Sequence, residues 1–414
     1  MIKKNLKKKP IVPSGLKNDA REAAYSLLNT VTKLMVPSAY SKGIVSLLKH
    51  SDANVCEKAL RLLCENLKDK VGLVQQPRMK RKMVTLPNAQ WNSLGEESDE
   101  AFKEMIMEIV ELLKRSPEDS SVRAKIAAVA TLDVLAKKFV GNFPSTFSDC
   151  LSPVVANLTA NDVALSSGCL HCIASFVTEL GPQALAHLPH IIKYILKKTW
   201  RVCLSSYKEA TVSKMADFEG NTASGGAFLI SVLSVLEAIV QKLGGFLNPY
   251  LEEIVGLLVL HSQFTTDSGS TVCTKAASIR ILMSEKISVR LLLDPIVRVY
   301  GKAVENGEAS VSTIFEMLAV VASKMDRPSV VTYHAKIFEL CLIALDLRRQ
   351  HPESIKNMGK VEASVINALV ALIMKLSEAT FKPLFVRSLD WAESEVESDG
   401  TSLQHLYYNC NKIK

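Results

Sequence analysis

Residues 360–391 read KVEASVINALVALIMKLSEATFKPLFVRSLDW. Val365, Leu369, Leu372, Ile373 and Leu376 recur at steps of three and four, the period of an α-helix with one apolar face. The pattern predicts that this helix stops near Thr380 and that Pro383 sets the first turn of the next, where a missing N–H costs nothing. A helix handing over to another across so short a gap is the layout of one helical repeat meeting the next.

The same arrangement recurs upstream. Ser38–Lys49 reads as a helix, Ser51-Asp52-Ala53-Asn54 as a polar turn, and Val55–Leu67 as a second helix facing inward through Val55, Ala59, Leu62, Leu63 and Leu67. Ala101–Lys114 and Ser121–Phe139 form a second pair, with Val122, Ile126, Val129, Leu132, Leu135 and Phe139 recurring at helical spacing in the latter. Phe147–Leu158 with Val163–Leu180, Pro249–His261 with Thr271–Glu285, Pro295–Val304 with Ser310–Lys324, and Val330–Leu347 with Lys360–Ser377 continue the series. The turns of the last three pairs lie roughly 40 to 47 residues apart, the spacing of two-helix repeats. Pro37, Pro144, Pro189, Pro249, Pro295, Pro328 and Pro383 are expected at or just before first helices.

Composition fits. Of 414 residues 48% are hydrophobic but only 6% aromatic, which favours helices packed through aliphatic side chains over sandwiches or barrels. The expected fold is all-α, a HEAT/armadillo-like α-solenoid of stacked antiparallel helix pairs: Asp52 at the turn, Val55 opening the second helix and Lys58 three residues on resemble the HEAT motif. Four segments are expected: a basic stretch with a first helix over 1–36, HEAT-like repeats over 37–247, a distinct helical region over 248–392, and an acidic tail over 393–414. Irregular inserts are expected at 70–97, with Pro77, Pro87 and Trp91, and at 205–226, where Gly225-Gly226 reads as a helix end.

Chemistry is sparse. Cys169-Leu170-His171-Cys172 followed by His187-Leu188-Pro189-His190 approaches zinc-ligand spacing, but the cysteines lie in an apolar helix pattern and the histidines at a helix start, so no metal is expected. GxSxG, HExxH and phosphate-loop motifs are all absent, and the carboxylates of Glu96-Glu97 and Glu393–Asp399 read as solvated; enzymatic activity and a cofactor or small-molecule substrate are not expected. The nine cysteines lack paired spacing, consistent with a reducing compartment. The best membrane-span contender, Gly225 to Leu236, is interrupted by Glu237 and too short, so no membrane partner is expected.

The net charge of +8 is unevenly placed. Lys3, Lys4, Lys7, Lys8 and Lys9 open the chain, and Arg78, Lys80, Arg81 and Lys82 form a second cluster. Lys197, Lys198 and Arg201 lie beside Lys193, Tyr194 and Trp200. Each group is a candidate RNA or partner contact, cations meeting phosphates and aromatics stacking on unpaired bases. The plainer reading of the last group is an amphipathic helix with aromatic anchors and a basic solvent face.

Pro249-Tyr250-Leu251, Arg290-Leu291-Leu292-Leu293-Asp294-Pro295-Ile296 with Tyr300, Ala344-Leu345-Asp346-Leu347-Arg348, Gly359-Lys360-Val361-Glu362, Lys382-Pro383-Leu384-Phe385 and Asp390-Trp391-Ala392 resemble the C-terminal region of one family. This is the family of large HEAT-repeat proteins associated with U-three small nucleolar RNA in the small-subunit processome, with its BP-twenty-eight C-terminal domain. The resemblance implies a portion of a longer array: a non-enzymatic scaffold in the nucleus and nucleolus, acting in pre-18S ribosomal RNA processing and supporting ribosomal RNA transcription. Its implied partners are other processome proteins, the U-three particle and pre-ribosomal RNA. A nuclear transport receptor, or a regulatory scaffold for a phosphatase or kinase, shares the fold class and is the alternative.

Overall fold

The computed structural model describes residues 35–67, 96–116, 121–160, 162–212, 219–266, 269–350 and 357–393, together with Ile355 and four isolated positions before residue 35; the side chains of 202–224, 349–350 and 392–393 fall outside that description. All regular structure among the described residues is helical. The chain divides into two compact units, residues 1–134 and 135–414. Position 248, where a distinct region is expected to begin, lies inside the second.

The first unit holds α1 (Pro37–Leu48), α2 (Ala53–Leu67), α3 (Glu96–Lys114) and the first part of α4 (Val122–Phe139). Helix α1 packs on both α2 and α3, and the Thr131 hydroxyl of α4 donates to the Leu60 carbonyl of α2 at 3.3 Å. Alternate helices are therefore neighbours, and the pairs stack in two layers.

The second unit repeats the scheme. Its elements are α5 (Pro144–Ala156), α6 (Val163–Leu180), α7 (Leu188–Val212), α8 (Glu219–Leu243), α9 (Leu251–Leu260), a short α10 (Ser262–Thr265), α11 (Thr271–Lys286), α12 (Val289–Asn306), α13 (Glu308–Lys324), α14 (Arg327–Leu345), a short α15 (Leu347–Gln350), α16 (Met358–Ile373) and α17 (Glu378–Glu393). One layer runs α6–α8–α11–α13–α16, the other α7–α9–α12–α14–α17, each helix touching the next. Helices α5 and α6, α12 and α13, and α14 and α16 pack across the layers. This is the all-α, HEAT-like class.

Sequence sets both ends of each helix. Five second helices open on a side-chain cap: Asp52 accepts from Asn54 N at 2.9 Å, Ser121 from Ala124 N at 3.2 Å, Asp162 from Leu165 N at 2.8 Å, Ser270 from Val272 N at 3.2 Å and Asn357 from Lys360 N at 3.3 Å. First helices open on proline at Pro37, Pro144 and Pro328. The carbonyls left at the end of the first helix are then met from the second. Cys56 Sγ reaches Leu48 O at 3.4 Å, Lys125 Nζ donates to Arg115 O at 2.6 Å and Leu113 O at 3.3 Å, and Ser166 donates to Leu158 O and Ala160 O, both at 3.2 Å. Farther on, buried Arg280 donates through Nη1 to Leu258 O at 3.1 Å and Phe264 O at 3.0 Å.

Several expectations need correction. Pro295 and Pro383 do not open helices; both lie inside α12 and α17. Packing overrides the roughly 3 kcal/mol that an interior proline costs. In α12 the ring of Pro295 is itself buried beside Leu292, Ile296 and Val299. Helix α16 stops at Ile373 rather than near Thr380, because Ser377 caps α17: its Oγ accepts from Thr380 N at 3.3 Å and its carbonyl from Phe381 N at 2.8 Å. The buried stripe of α16 is Val361, Val365, Ala368 and Leu372, with Leu369 only half-buried.

The stretch expected to be irregular over 205–226 is helical over 205–212 and 219–226, so Gly225-Gly226 lies within α8 rather than at its end. The backbone hydrogen bonds of a long helix outweigh the roughly 1 kcal/mol that each glycine costs. The insert over 70–97 lies outside the described residues except for Glu96 and Glu97, which begin α3.

Three stretches, 163–201, Gly225–Phe246 and Arg327–Leu345, are long and apolar enough to cross a membrane by length and composition, which the sequence reading missed. A helix flanked on three sides by others is apolar nearly all round, and 56% and 61% of the first two windows are buried within the fold. The first is also broken at Gly181, whose φ of 55° suits glycine, by a 3₁₀ segment over Gly181–His187.

Candidate nucleic-acid interface

Helix α7 carries the most basic described face. From Leu188 to Arg201 it holds Lys193, Lys197, Lys198 and Arg201 and no carboxylate. Ile191, Ile192, Ile195 and Leu196 are buried and fix its rotation. Lys193, Lys197, Trp200 and Arg201 are consequently turned outward and exposed, Lys198 half-exposed. With spacings of four residues and 1.5 Å per residue, Lys193, Lys197 and Arg201 form a line of cations about 6 Å apart.

Trp200 bridges the fold and this face. Its ring meets His261 edge-on at 4.2 Å between centroids, and His261 in turn meets Phe264 at 6.1 Å. Trp200 remains 37% exposed. It is thus both the anchor of the plainer reading and an accessible aromatic. Burial pushes the His261 imidazole down to about 4, so at neutral pH the group behind Trp200 carries no charge.

The surrounding layer handles charge differently. Glu252 of α9 meets Arg298 of α12 at 3.4 Å, Asp294 of α12 meets Lys336 of α14 at 2.6 Å, and Glu339 of α14 meets Arg387 of α17 at 3.1 Å. Among the described residues the α7–α9 junction has no such pair. The Trp200–His261 contact occupies it instead.

Of the residues singled out in the sequence, the structure brings Lys197, Lys198 and Arg201 together on α7. Lys7, Lys8, Lys9, Arg78, Lys80, Arg81 and Lys82 lie outside the described residues. Cys169 and Cys172 are buried in α6, His187 sits in the 3₁₀ segment and His190 is exposed in the first turn of α7. No three His, Cys, Asp or Glu side chains gather as metal ligands among the described residues. His261 escaped the sequence reading: it reaches Trp200 from 61 positions away, and no local pattern marks it.

One other concavity stands out. A cleft of about 350 Å³ in the first unit lies between α2 and α4, floored by Leu60, Cys64, Ala127 and Ala130 with Arg61 and Arg123 at its rim. Arg61 is already held by Glu57 at 2.6 Å.

The BP28CT (NUC211) domain model matches residues 329–413, the later part of the region expected over 248–392 together with the acidic tail. Over 392 residues, 94% of this chain, the sequence is 39% identical to an uncharacterized protein of Arabidopsis thaliana. It is 25% identical over 378 residues, 90% of the chain, to HEAT repeat-containing protein 1 of Homo sapiens. It is 23% identical over 292 residues, 68% of the chain, to U3 small nucleolar RNA-associated protein 10 of Schizosaccharomyces pombe. The chain spans only 16 to 17% of the length of these relatives. Its homologues thus include proteins named HEAT repeat-containing protein 1 and U3 small nucleolar RNA-associated protein 10, and residues 329–413 carry a BP28CT (NUC211) domain.

Proposed function

We propose that the chain acts as a non-enzymatic scaffold in the small-subunit processome, in the nucleolus, and serves maturation of pre-18S ribosomal RNA and ribosomal RNA transcription. The observation that carries this is the similarity over 68% of the chain to a protein named for its association with U3 small nucleolar RNA. Stacked helix pairs support the role physically, since each repeat adds surface for partners without a preorganised reaction centre. Other processome proteins, the U-three particle and pre-ribosomal RNA are the proposed partners. Lys7–Lys9 and Arg78–Lys82 are proposed as import or RNA-contacting clusters.

Purification of the tagged chain, followed by protein and RNA identification, tests the proposal. U-three RNA and the 5′ part of pre-ribosomal RNA should be enriched, and depletion should slow small-subunit ribosomal RNA maturation. A tagged chain that stays cytoplasmic, with unchanged maturation on depletion, would overturn it. Recovery of transport cargo in place of processome proteins would favour a transport receptor.

A further inference from the structure

We propose that the outward face of α7 binds single-stranded RNA, with Lys193, Lys197 and Arg201 on successive phosphates and Trp200 stacking on an unpaired base. The choice of RNA as the polyanion rests on the ribosome-assembly reading; the existence of a polyanion site does not.

Three observations converge. First, among the described residues no carboxylate pairs with the cations of α7, whereas Arg298, Lys336 and Arg387 in the same layer are each held by a carboxylate from a neighbouring helix. Of the acidic residues that α9 brings to the adjoining surface, Glu252 is committed to Arg298, which leaves Glu253. Four cations on fourteen residues repel one another, a cost that a bound polyanion relieves.

Second, the line Lys193–Lys197–Arg201 advances about 6 Å per step along the helix, a rise suited to consecutive phosphates of an extended strand. An acidic peptide would meet the same cations but offers the indole a planar partner only where it carries an aromatic side chain, whereas every nucleotide of a single strand brings one.

Third, Trp200 lies within that line, one residue before Arg201, and is 37% exposed although its ring packs on His261. An aromatic flanked by cations is the pairing that sequence-tolerant single-strand binders use, the ring taking a base and the cations the backbone. Duplex RNA keeps its bases stacked internally and would gain only the phosphate contacts.

The test compares binding of a short labelled oligoadenylate and of an A-form RNA duplex across a salt series. One variant replaces Lys193→Gln, Lys197→Gln and Arg201→Gln, all exposed, so the core is untouched. A second carries Trp200→Leu, which preserves an apolar contact for His261, and a control replaces the paired cations Arg298→Gln, Lys336→Gln and Arg387→Gln. Circular dichroism melting checks that each variant is folded.

The single strand should bind more tightly than the duplex. The α7 charge variant should reduce the logarithmic salt slope by about 2, at ~0.7 per single-strand phosphate contact. Trp200→Leu should weaken oligoadenylate binding roughly 5- to 100-fold and leave duplex binding unchanged. Equal losses in the α7 and control variants, or an unchanged α7 variant, would overturn the proposal. So would competition by polyglutamate as effective as by RNA, which would assign the face to acidic proteins. Failure here leaves co-purification with the U-three particle intact, whereas failure of the scaffold role leaves oligoadenylate binding in vitro intact.

Discussion

Helices α7 and α12 occupy the same layer of the same unit, bury the same kind of aliphatic stripe, and differ in what their charges do. Arg298 and Asp294 of α12 reach Glu252 on one side and Lys336 on the other. Among the described residues Lys193, Lys197, Lys198 and Arg201 of α7 reach no carboxylate, and an aromatic contact replaces the ion pair at its junction with α9. Exposed ion pairs contribute little, about 0–1 kcal/mol each, so their absence at α7 costs the fold almost nothing. The comparison teaches that charge placement in this layer can follow partners, because apolar burial holds the stack.

The largest expected effect tests that premise. Leu236 and Leu318 are fully buried in α8 and α13, and Leu236→Ala or Leu318→Ala should each lower stability by about 2–5 kcal/mol in chemical denaturation. Losses near those of surface substitutions would mean that packing does not carry the stack. Arg280→Met comes next. It strands the carbonyls of Leu258 and Phe264 in the core, and should destabilise by about 2–3 kcal/mol, read as a lower denaturation midpoint.

A pH effect sharpens the view of the α7–α9 junction. The folded His261 titrates near 4 against about 6.5 when unfolded, so the unfolded chain binds the extra proton in between. Stability should therefore fall as pH drops from about 6.5 to about 4, by no more than ~3 kcal/mol and less where solvent screens the ring. His261→Phe should abolish that part of the dependence, seen as the difference between the two denaturation curves against pH. Equal slopes for both proteins would show that the imidazole is not desolvated.

The smallest effect belongs to α12 itself: Lys336→Gln should change stability by about 1 kcal/mol or less. A larger loss would break the comparison, since charge would then be structural in one helix and idle in the other.

The repeat unit was legible because burial imposes a period. Val163–Leu180 was delimited correctly from its apolar pattern, and the structure shows Asp162 capping its start. Boundaries failed where a rule of local geometry met a stronger tertiary demand. Pro295 reads as a helix start but is held in the interior of α12 by its buried neighbours, and Gly225-Gly226 reads as a helix end but lies within α8. Lys125 and Arg280 illustrate the opposite failure. Each reads as a surface cation yet is buried to meet the carbonyls of a preceding helix, and nothing adjacent in sequence announces those acceptors.

Of the candidate site, the cations of α7 and Trp200 were visible in the sequence as a cluster, with a basic solvent face as its plainer reading. That no described carboxylate pairs with them was not visible. It depends on which side chains α9 and α12 bring alongside, and the pairing of Glu252 with Arg298 is fixed by three-dimensional register.

Ultraviolet crosslinking of the protein to RNA in cells, with mass-spectrometric mapping of the modified peptides, tests the central claim most directly. The account predicts RNA adducts within residues 188–201, centred on Trp200 and lost in the Lys193→Gln, Lys197→Gln, Arg201→Gln variant. Adducts confined to other segments, or adducts on α12 and α14 as frequent as on α7, would contradict it.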